Sequence, residues 1–288
     1  MEDVARRLAV QIRTWAGDNG IGEPVDRVVL VGHSVGGLLV RQAFLLDADR
    51  MRSGEDRKPY AWTTKVSRIT LLAAPNAGFD SRRLPLWLRI PFSVAAAVRS
   101  LTVEQLQKGS AFITELRLRW VDAFRRTDWP RPVVVQVLGD HDDLVFAEDS
   151  VDIVYMHGAT QMEVPGARHG DLADLDSATD VGERFGLLWC ALFGSFDSGR
   201  LAARDPLPGP AFMILHGIRT RSYAGWVGQL SDGLTAGPGP APAVFAPSYG
   251  FFSAIDFALP FSRSRNLRHF LHWYGQLHVE YEEKSFAG

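Results

Sequence analysis

The sequence predicts an α/β fold with a mainly parallel, doubly wound sheet. Short apolar runs alternate along the chain with segments in which apolar residues recur every three or four positions. This alternation is typical of strand–helix units whose parallel strands carry helices on both faces of the sheet. The run at residues 132–138 is almost continuously apolar and β-branched, which indicates a strand that is covered on both faces.

The chain begins with a predicted amphipathic helix, in which Val4, Leu8, Ile12 and Trp15 recur at helical spacing among charged residues. This pattern differs from a signal peptide, so we expect a cytoplasmic protein. The stretch 82–127 is unusually apolar and predicts a helical cap over the carboxyl edge of the sheet. The predicted strands that follow the first helix are residues 27–31, 67–73, 132–138 and 161–164, and the predicted helices are residues 37–47, 83–127 and 179–193.

Residues 195–210 contain three prolines and no periodicity, which indicates a linker. The linker separates a core unit, residues 1–194, from a second segment, residues 211–288. In the second segment the pattern restarts, with strands predicted at 211–216 and 243–246 and helices predicted at 223–234 and 266–284. We therefore expect a partial β-α-β-α unit after the linker.

The composition argues against several classes of function. A net charge of −2 gives no general attraction to nucleic acid or to acidic membranes. No apolar stretch reaches the roughly 18 residues that a transmembrane helix needs. His269, His272 and His278 lie on one predicted helix without an acidic residue to complete a metal set, so we interpret them as helix-surface residues. We expect neither a metal nor a cofactor.

A Gly-x-Ser-x-Gly motif, Gly32 to Gly36, lies between an apolar run and a helical pattern. Strand, tight turn and helix form the context in which this motif presents a serine nucleophile. We expect small residues two places on either side of Ser34 to be required, because strand and helix approach closely there. The N–H of Val35 would then lie at the helix N-terminus, where an oxyanion can be held. The competing interpretation is a Gly-rich turn with an inert serine.

A serine nucleophile needs a base and a group that orients the base. The turn at residues 139–145 follows a predicted strand and offers three carboxylates, Asp140, Asp142 and Asp143. A carboxylate at the carboxyl end of a buried strand is well placed to meet a base at the edge of the sheet. All three therefore compete for the orienting role.

His169 is the candidate base, because it lies in a Gly-containing loop after the last predicted strand of the core unit. Such a loop is within reach of the carboxyl edge of the sheet. Other histidines fit less well: His33 directly precedes the motif serine, His141 shares the acidic turn, and His157 precedes a strand.

These segments resemble an α/β-hydrolase of the lipase and carboxylesterase kind, and especially the bacterial lipase-like proteins related to GPI-inositol deacylases. The resemblance covers residues 4–201, and the order Ser, Asp, His along the chain agrees with it. It rests on VLVGHSVGG, TLLAAPNAGFDS, LQKGSAFITELRLRW, GDHDDLV and GARHGDL. The resemblance implies that Asp142 is the orienting acid, that His169 is the general acid and base, and that Ser34 is the nucleophile.

One element of that family is missing before the nucleophile elbow, the turn that carries Ser34. This element is a strand ending in His-Gly whose following N–H supplies half of the oxyanion hole. The segment FMILHG at 212–217 resembles this element, which makes Ile218 the candidate second donor beside Val35. We expect residues 212–216 to pair with 28–31, in the same chain or in a domain-swapped homodimer, because an exposed apolar sheet edge needs covering. A piece of a tandem hydrolase and a circular permutation are both compatible with this order, and the two similar helices at the two ends favour the tandem origin.

The sequence therefore predicts a serine hydrolase that cleaves carboxylic esters through an acyl-enzyme at Ser34. The apolar cap indicates a small-molecule or lipid ester as substrate, although Leu86, Trp87 and Leu88 would equally pack on the sheet. The alternative is a catalytically weak or inactive protein that acts as a binding module, because the oxyanion hole is incomplete. In that case the second segment, which lacks a catalytic Ser, Asp and His of its own, would be a docking module.

Overall fold

The structure is a computed structural model. It describes residues 1–16, 25–54, 62–79, 104–126, 129–146, 159–172, 174, 181–194, 211–214, 225–236, 243–245 and 260–280. The strands are β1 (Val28–His33), β2 (Val66–Leu72), β3 (Val133–Gly139), β4 (Ala159–Val164), β5 (Ala211–Met213) and β6 (Ala243–Phe245). The helices are α1 (Glu2–Trp15), α2 (Val35–Ser53), α3 (Trp62–Lys65), α4 (Ala111–Arg125), α5 (Val181–Phe193), α6 (Gly225–Thr235) and α7 (Pro260–Glu280).

The main sheet has four parallel strands in the order β1-β2-β3-β4. Because the strands are parallel, their carboxyl ends lie at one edge, and the turns that follow β1, β3 and β4 meet there. The sheet follows the predicted strands closely, except that β1 continues two residues further, to His33, and β4 begins earlier, at Ala159. This difference matters for the site, since β1 ends directly before the motif serine.

Helices cover both faces of the sheet, as predicted. On one face Ile69 and Val134 share a core with Trp120 of α4 and with residues of α1 and α2. On the other face Val135 and Val137 pack with Ala191 of α5. Adjacent residues of a strand point to opposite faces, so Val134 and Val135 contribute to different cores. The α/β, doubly wound fold class is therefore confirmed.

The described part of the predicted cap segment, residues 104–126, contains α4, which packs against α2. Trp120 is fully buried, and its ring meets Phe44 edge to face with centroids 6.1 Å apart. The guanidinium of Arg41 lies 4.7 Å from the centre of the Trp120 ring, a cation–π contact. Leu86, Trp87 and Leu88 lie outside the described residues.

The second segment contacts the core unit through α7, which packs on α4. Arg117 of α4 donates to Gln276 at 3.1 Å, and Arg125 donates to the carbonyls of His278 and Val279, both at 3.0 Å. The expectation that His278 lies on the helix surface is wrong: the residue is only 6% exposed and its Nε2 lies 2.9 Å from Asp122. The α7 helix therefore turns a polar face toward α4, which apolar periodicity alone does not reveal.

The two short strands described in the second segment form a parallel sheet of their own, in which Phe212 pairs with Val244. Among the strands that the structure describes, β5 is bonded to β6 and not to β1, so the expected extension of the main sheet is not made there. In the described part of the sheet β1 lies at the edge, and Val31 on this strand is 46% exposed. Residues 215–218 lie outside the described part of the chain.

Candidate active site

The turn between β1 and α2 holds Ser34 in an unusual backbone conformation, with φ of 52° and ψ of −125°. Positive φ in a non-glycine residue costs on the order of 1–3 kcal/mol and occurs where the surroundings enforce it. Here the enforcement comes from close packing of strand and helix, since a Cβ at Gly32 would lie 2.7 Å from the Gly36 carbonyl group. The Ser34 N–H also donates to the Leu72 carbonyl of β2 at 2.8 Å.

The requirement for small residues around Ser34 is only partly as predicted. Gly32 is needed for the reason expected, but a Cβ added at Gly36 meets no neighbouring atom. The second tight position is Gly37, where an added Cβ would clash with the Cβ of Ala74. The turn after β2 therefore packs closely against the first turn of α2, a contact that the Gly-x-Ser-x-Gly motif does not predict.

Ser34, His169 and Asp142 form one chain of hydrogen bonds at the carboxyl edge of the sheet. His169 Nε2 lies 2.9 Å from Ser34 Oγ, and His169 Nδ1 lies 3.0 Å from Asp142 Oδ2. The histidine side chain is 13% exposed and that of the aspartate 1%. An ionised carboxylate can only accept, so Nδ1 carries hydrogen and Nε2 is left to accept from the serine hydroxyl. The three candidates named from sequence are thus brought together by β1, β3 and β4.

Asp142 is held as an anion in spite of its burial. Burial disfavours the charge, but the hydrogen bond from His169 and the N–H groups of Val145 and Leu144, at 2.8 and 2.9 Å from Oδ1, outweigh it and lower the pKa of Asp142 below its ordinary value. A carboxylate that accepts three hydrogen bonds is rigid as well as charged. It can orient an imidazole and stabilise the imidazolium form.

The two competing carboxylates are placed differently. Asp140 Oδ1 lies 2.8 Å from His141 Nδ1, and this hydrogen bond is the main cause of a lowered pKa for Asp140. Asp143 is exposed to solvent. Both side chains therefore lie apart from the Ser34–His169 pair, and only Asp142 reaches it.

Of the two predicted oxyanion donors, only Val35 lies within the described residues. Val35 is the first residue of α2, so its N–H is among those that have no partner within the helix. Ile218 lies outside the described residues, and so does His157.

A buried polar network behind the site was not anticipated from the sequence. Arg41 donates to Asn76 at 2.8 Å, Asn76 donates to Gln136 at 3.2 Å, and Gln136 donates to the Ala74 carbonyl at 3.3 Å. All of these side chains lie in the interior. The network ties the turn after β2 to α2 and β3, next to the elbow. A signal for it was present, since Gln136 is the one polar residue in an otherwise apolar strand.

The low pKa of Asp142 predicts a specific pH dependence of stability. A carboxylate with a lowered pKa in the folded state stabilises the fold above its unfolded pKa, about 3.9, and this contribution is lost as the pH falls through the folded value. We expect the melting temperature of the wild type to fall more steeply below about pH 4 than that of Asp142→Asn, which cannot titrate there. Thermal scans between neutral and acidic pH test this, and parallel curves for the two proteins would contradict it.

Within the described ranges, no helix is long and apolar enough to cross a membrane. Nor does that part of the chain contain a group of three or more His, Cys, Asp or Glu side chains that could hold a metal ion.

Comparisons with known proteins give likenesses in structure only. No protein-family model and no curated protein matches the sequence. Similar solved structures include a monoacylglycerol lipase from Paleococcus ferrophilus, with 15% identity, a TM-score of 0.35, and coverage of 65% of this chain and 75% of that one. Esterase B from Lactobacillus rhamnosis gives 15% identity and a TM-score of 0.39, with 65% and 59% covered.

Phospholipase PlaB from Legionella pneumophila gives 19% identity and a TM-score of 0.33, and the match covers 48% of this chain. This chain spans only 26% of the length of that phospholipase. At such values the likeness carries no information on substrate or activity.

Proposed function

We propose that the protein is a serine hydrolase that cleaves carboxylic esters through an acyl-enzyme at Ser34. The observation that supports this proposal is the unbroken chain of hydrogen bonds from Ser34 Oγ through His169 to the buried Asp142, at 2.9 and 3.0 Å. The strained elbow adds to it, because backbone strain persists only where the surroundings enforce it and is concentrated at functional sites.

In the proposed acylation step, Ser34 Oγ attacks the ester carbonyl carbon while His169 Nε2 takes the hydroxyl proton. The imidazolium that forms is stabilised by Asp142. Collapse of the tetrahedral intermediate breaks the bond to the alcohol oxygen, which receives the proton from His169. A water molecule then repeats the sequence on the acyl-enzyme and releases the acid, with His169 acting first as base and then as acid.

The negative charge of the tetrahedral oxygen needs hydrogen-bond donors. We assign the first to the Val35 N–H, which lies at the start of α2, where the partial positive charge of the helix favours an anion. The Ile218 N–H remains the proposed second donor, on the strength of the FMILHG segment that precedes it. The proposal requires the second segment to bring residue 218 to the carboxyl edge of the main sheet.

Removal of the second segment tests this requirement. Truncation after Gly199 should lower turnover by the ~10²–10³ that one oxyanion donor contributes. It should also lower the melting temperature, because Arg117 and Arg125 lose their acceptors on α7. Adding residues 201–288 as a separate chain should restore part of the activity. A truncated protein that stays monomeric, stable and fully active would show that the second segment has no part in the site.

The proposed substrate is a small-molecule or lipid ester with an apolar acyl group, because apolar residues dominate the sequence between positions 84 and 92. A series of p-nitrophenyl esters of increasing acyl length, assayed with the full chain, tests both the activity and this preference. We expect kcat/KM to rise with acyl length. A flat series would argue against an apolar acyl site, and no hydrolysis of any ester would favour the alternative of a binding module.

A further inference from the structure

His33 contacts the candidate base directly. It is the last residue of β1 and immediately precedes Ser34. Its Nε2 lies 2.9 Å from the main-chain carbonyl oxygen of His169, and the two imidazole rings face one another with centroids 5.2 Å apart and an angle of 42°. A carbonyl oxygen can only accept, so His33 Nε2 is the donor and carries hydrogen.

This bond holds a part of His169 that the Ser34 and Asp142 contacts do not. Those two contacts act on the ring, whereas His33 acts on the main chain of the residue. The loop is also held two residues earlier, where the Ala167 carbonyl accepts from the His141 N–H of the turn after β3 at 3.1 Å. Within the loop the Arg168 N–H donates to Asp171, and beyond His169 the Asp171 carbonyl accepts from Arg184 at 2.9 Å. The His33 hydrogen bond therefore links the loop that carries the base directly to the end of β1, one residue before the nucleophile.

The same geometry argues against the Nε2 of His33 as a second base. Its Nε2 is occupied by the His169 carbonyl, and a nitrogen that carries hydrogen cannot take the proton of Ser34. The contact can instead fix the distance between His169 Nε2 and Ser34 Oγ. Displacement of a reacting group by about 1 Å can lower a rate by roughly 10².

We propose that His33 is a positioning residue, which keeps His169 Nε2 in register with Ser34 Oγ by donating a hydrogen bond to the His169 carbonyl. This inference rests on the proposed function, since it concerns the alignment of that same nucleophile and base. It assigns to the residue before the serine a role in the acylation rate and not in substrate binding.

Two amide substitutions of different length distinguish an effect of the hydrogen bond from an effect of the imidazole ring. In His33→Gln the side-chain amide nitrogen can reach about the position of Nε2 and can still donate, whereas His33→Asn is too short and His33→Leu cannot donate. We expect His33→Gln to label with a fluorophosphonate probe close to the wild-type rate. His33→Asn and His33→Leu should label up to roughly 10²-fold more slowly, with the loss in kcat and little change in KM for ester hydrolysis. Because His33 is exposed, all three variants should keep the wild-type melting temperature.

The outcomes distinguish this role from the proposed function. If the wild type labels at Ser34 and His33→Asn labels equally fast, the positioning role is overturned and the hydrolase proposal stands. If His33→Gln is as slow as His33→Asn, the hydrogen bond is not the cause and the role is likewise overturned. If the wild type does not label at all, the hydrolase proposal fails, and the positioning role fails with it.

Discussion

Ser34→Ala should abolish ester hydrolysis, with kcat lowered by a factor on the order of 10⁶. The substitution removes the atom that we propose forms the bond to the acyl group. His169 and Asp142 cannot replace it, since their proposed roles are base and orienting acid. The fold should be nearly unaffected, because alanine keeps the Cβ of serine and meets the same backbone strain at φ of 52°.

The measurement for this first prediction is p-nitrophenyl ester turnover, with the melting temperature recorded alongside. Ser53→Ala is a matched control, since Ser53 lies at the far end of the same helix, α2, and its hydroxyl donates only to the Arg50 carbonyl among the hydrogen bonds described. It should keep full activity. Hydrolysis that is unchanged in Ser34→Ala would refute the assignment of the nucleophile.

Asp142→Asn should lower kcat by about 10⁴, as expected when the orienting acid of a triad is replaced by a neutral amide. The shape of the side chain is kept, and an amide oxygen can still accept from the Val145 and Leu144 N–H groups. The amide nitrogen then faces His169 Nδ1 and favours the imidazole tautomer that carries its hydrogen on Nε2. That tautomer cannot accept the proton of Ser34.

Asp140→Asn and Asp143→Asn are the matched controls for this second prediction, because both change one carboxylate of the same turn. Asp140 is engaged with His141, and Asp143 is exposed, so each should leave kcat near the wild-type value. Steady-state kinetics on the three variants decide the matter. A large loss in Asp143→Asn with a small one in Asp142→Asn would mean that the turn is displaced by one residue.

The local parts of this molecule were predictable from the sequence, and the parts that depend on long-range contacts were not. The strand, turn and helix around Ser34 are encoded within one short segment, so their pattern predicts them. The choice among Asp140, Asp142 and Asp143 could not be made from local residue types, and the resemblance to a family supplied it. The geometry brings Asp142 to His169 and leaves the other two aside.

The contacts that could not be predicted from the sequence are those between distant segments. His33 and His169 are separated by 136 positions, and no periodicity relates them. The need for glycine at position 37 arises from Ala74 in the turn after β2. The polar contact of α7 with α4 was missed for the same reason, since His278 on its own helix has the spacing of a surface residue.

The most direct test of the central claim is the site of covalent labelling by a fluorophosphonate, which reacts only with an activated serine. The intact wild-type chain should gain the mass of one adduct, and peptide mapping should place it on Ser34. Ser34→Ala should gain none, and Asp142→Asn should label far more slowly than Asp143→Asn. A wild-type chain that stays unlabelled, or that carries the adduct on another serine, would contradict the account.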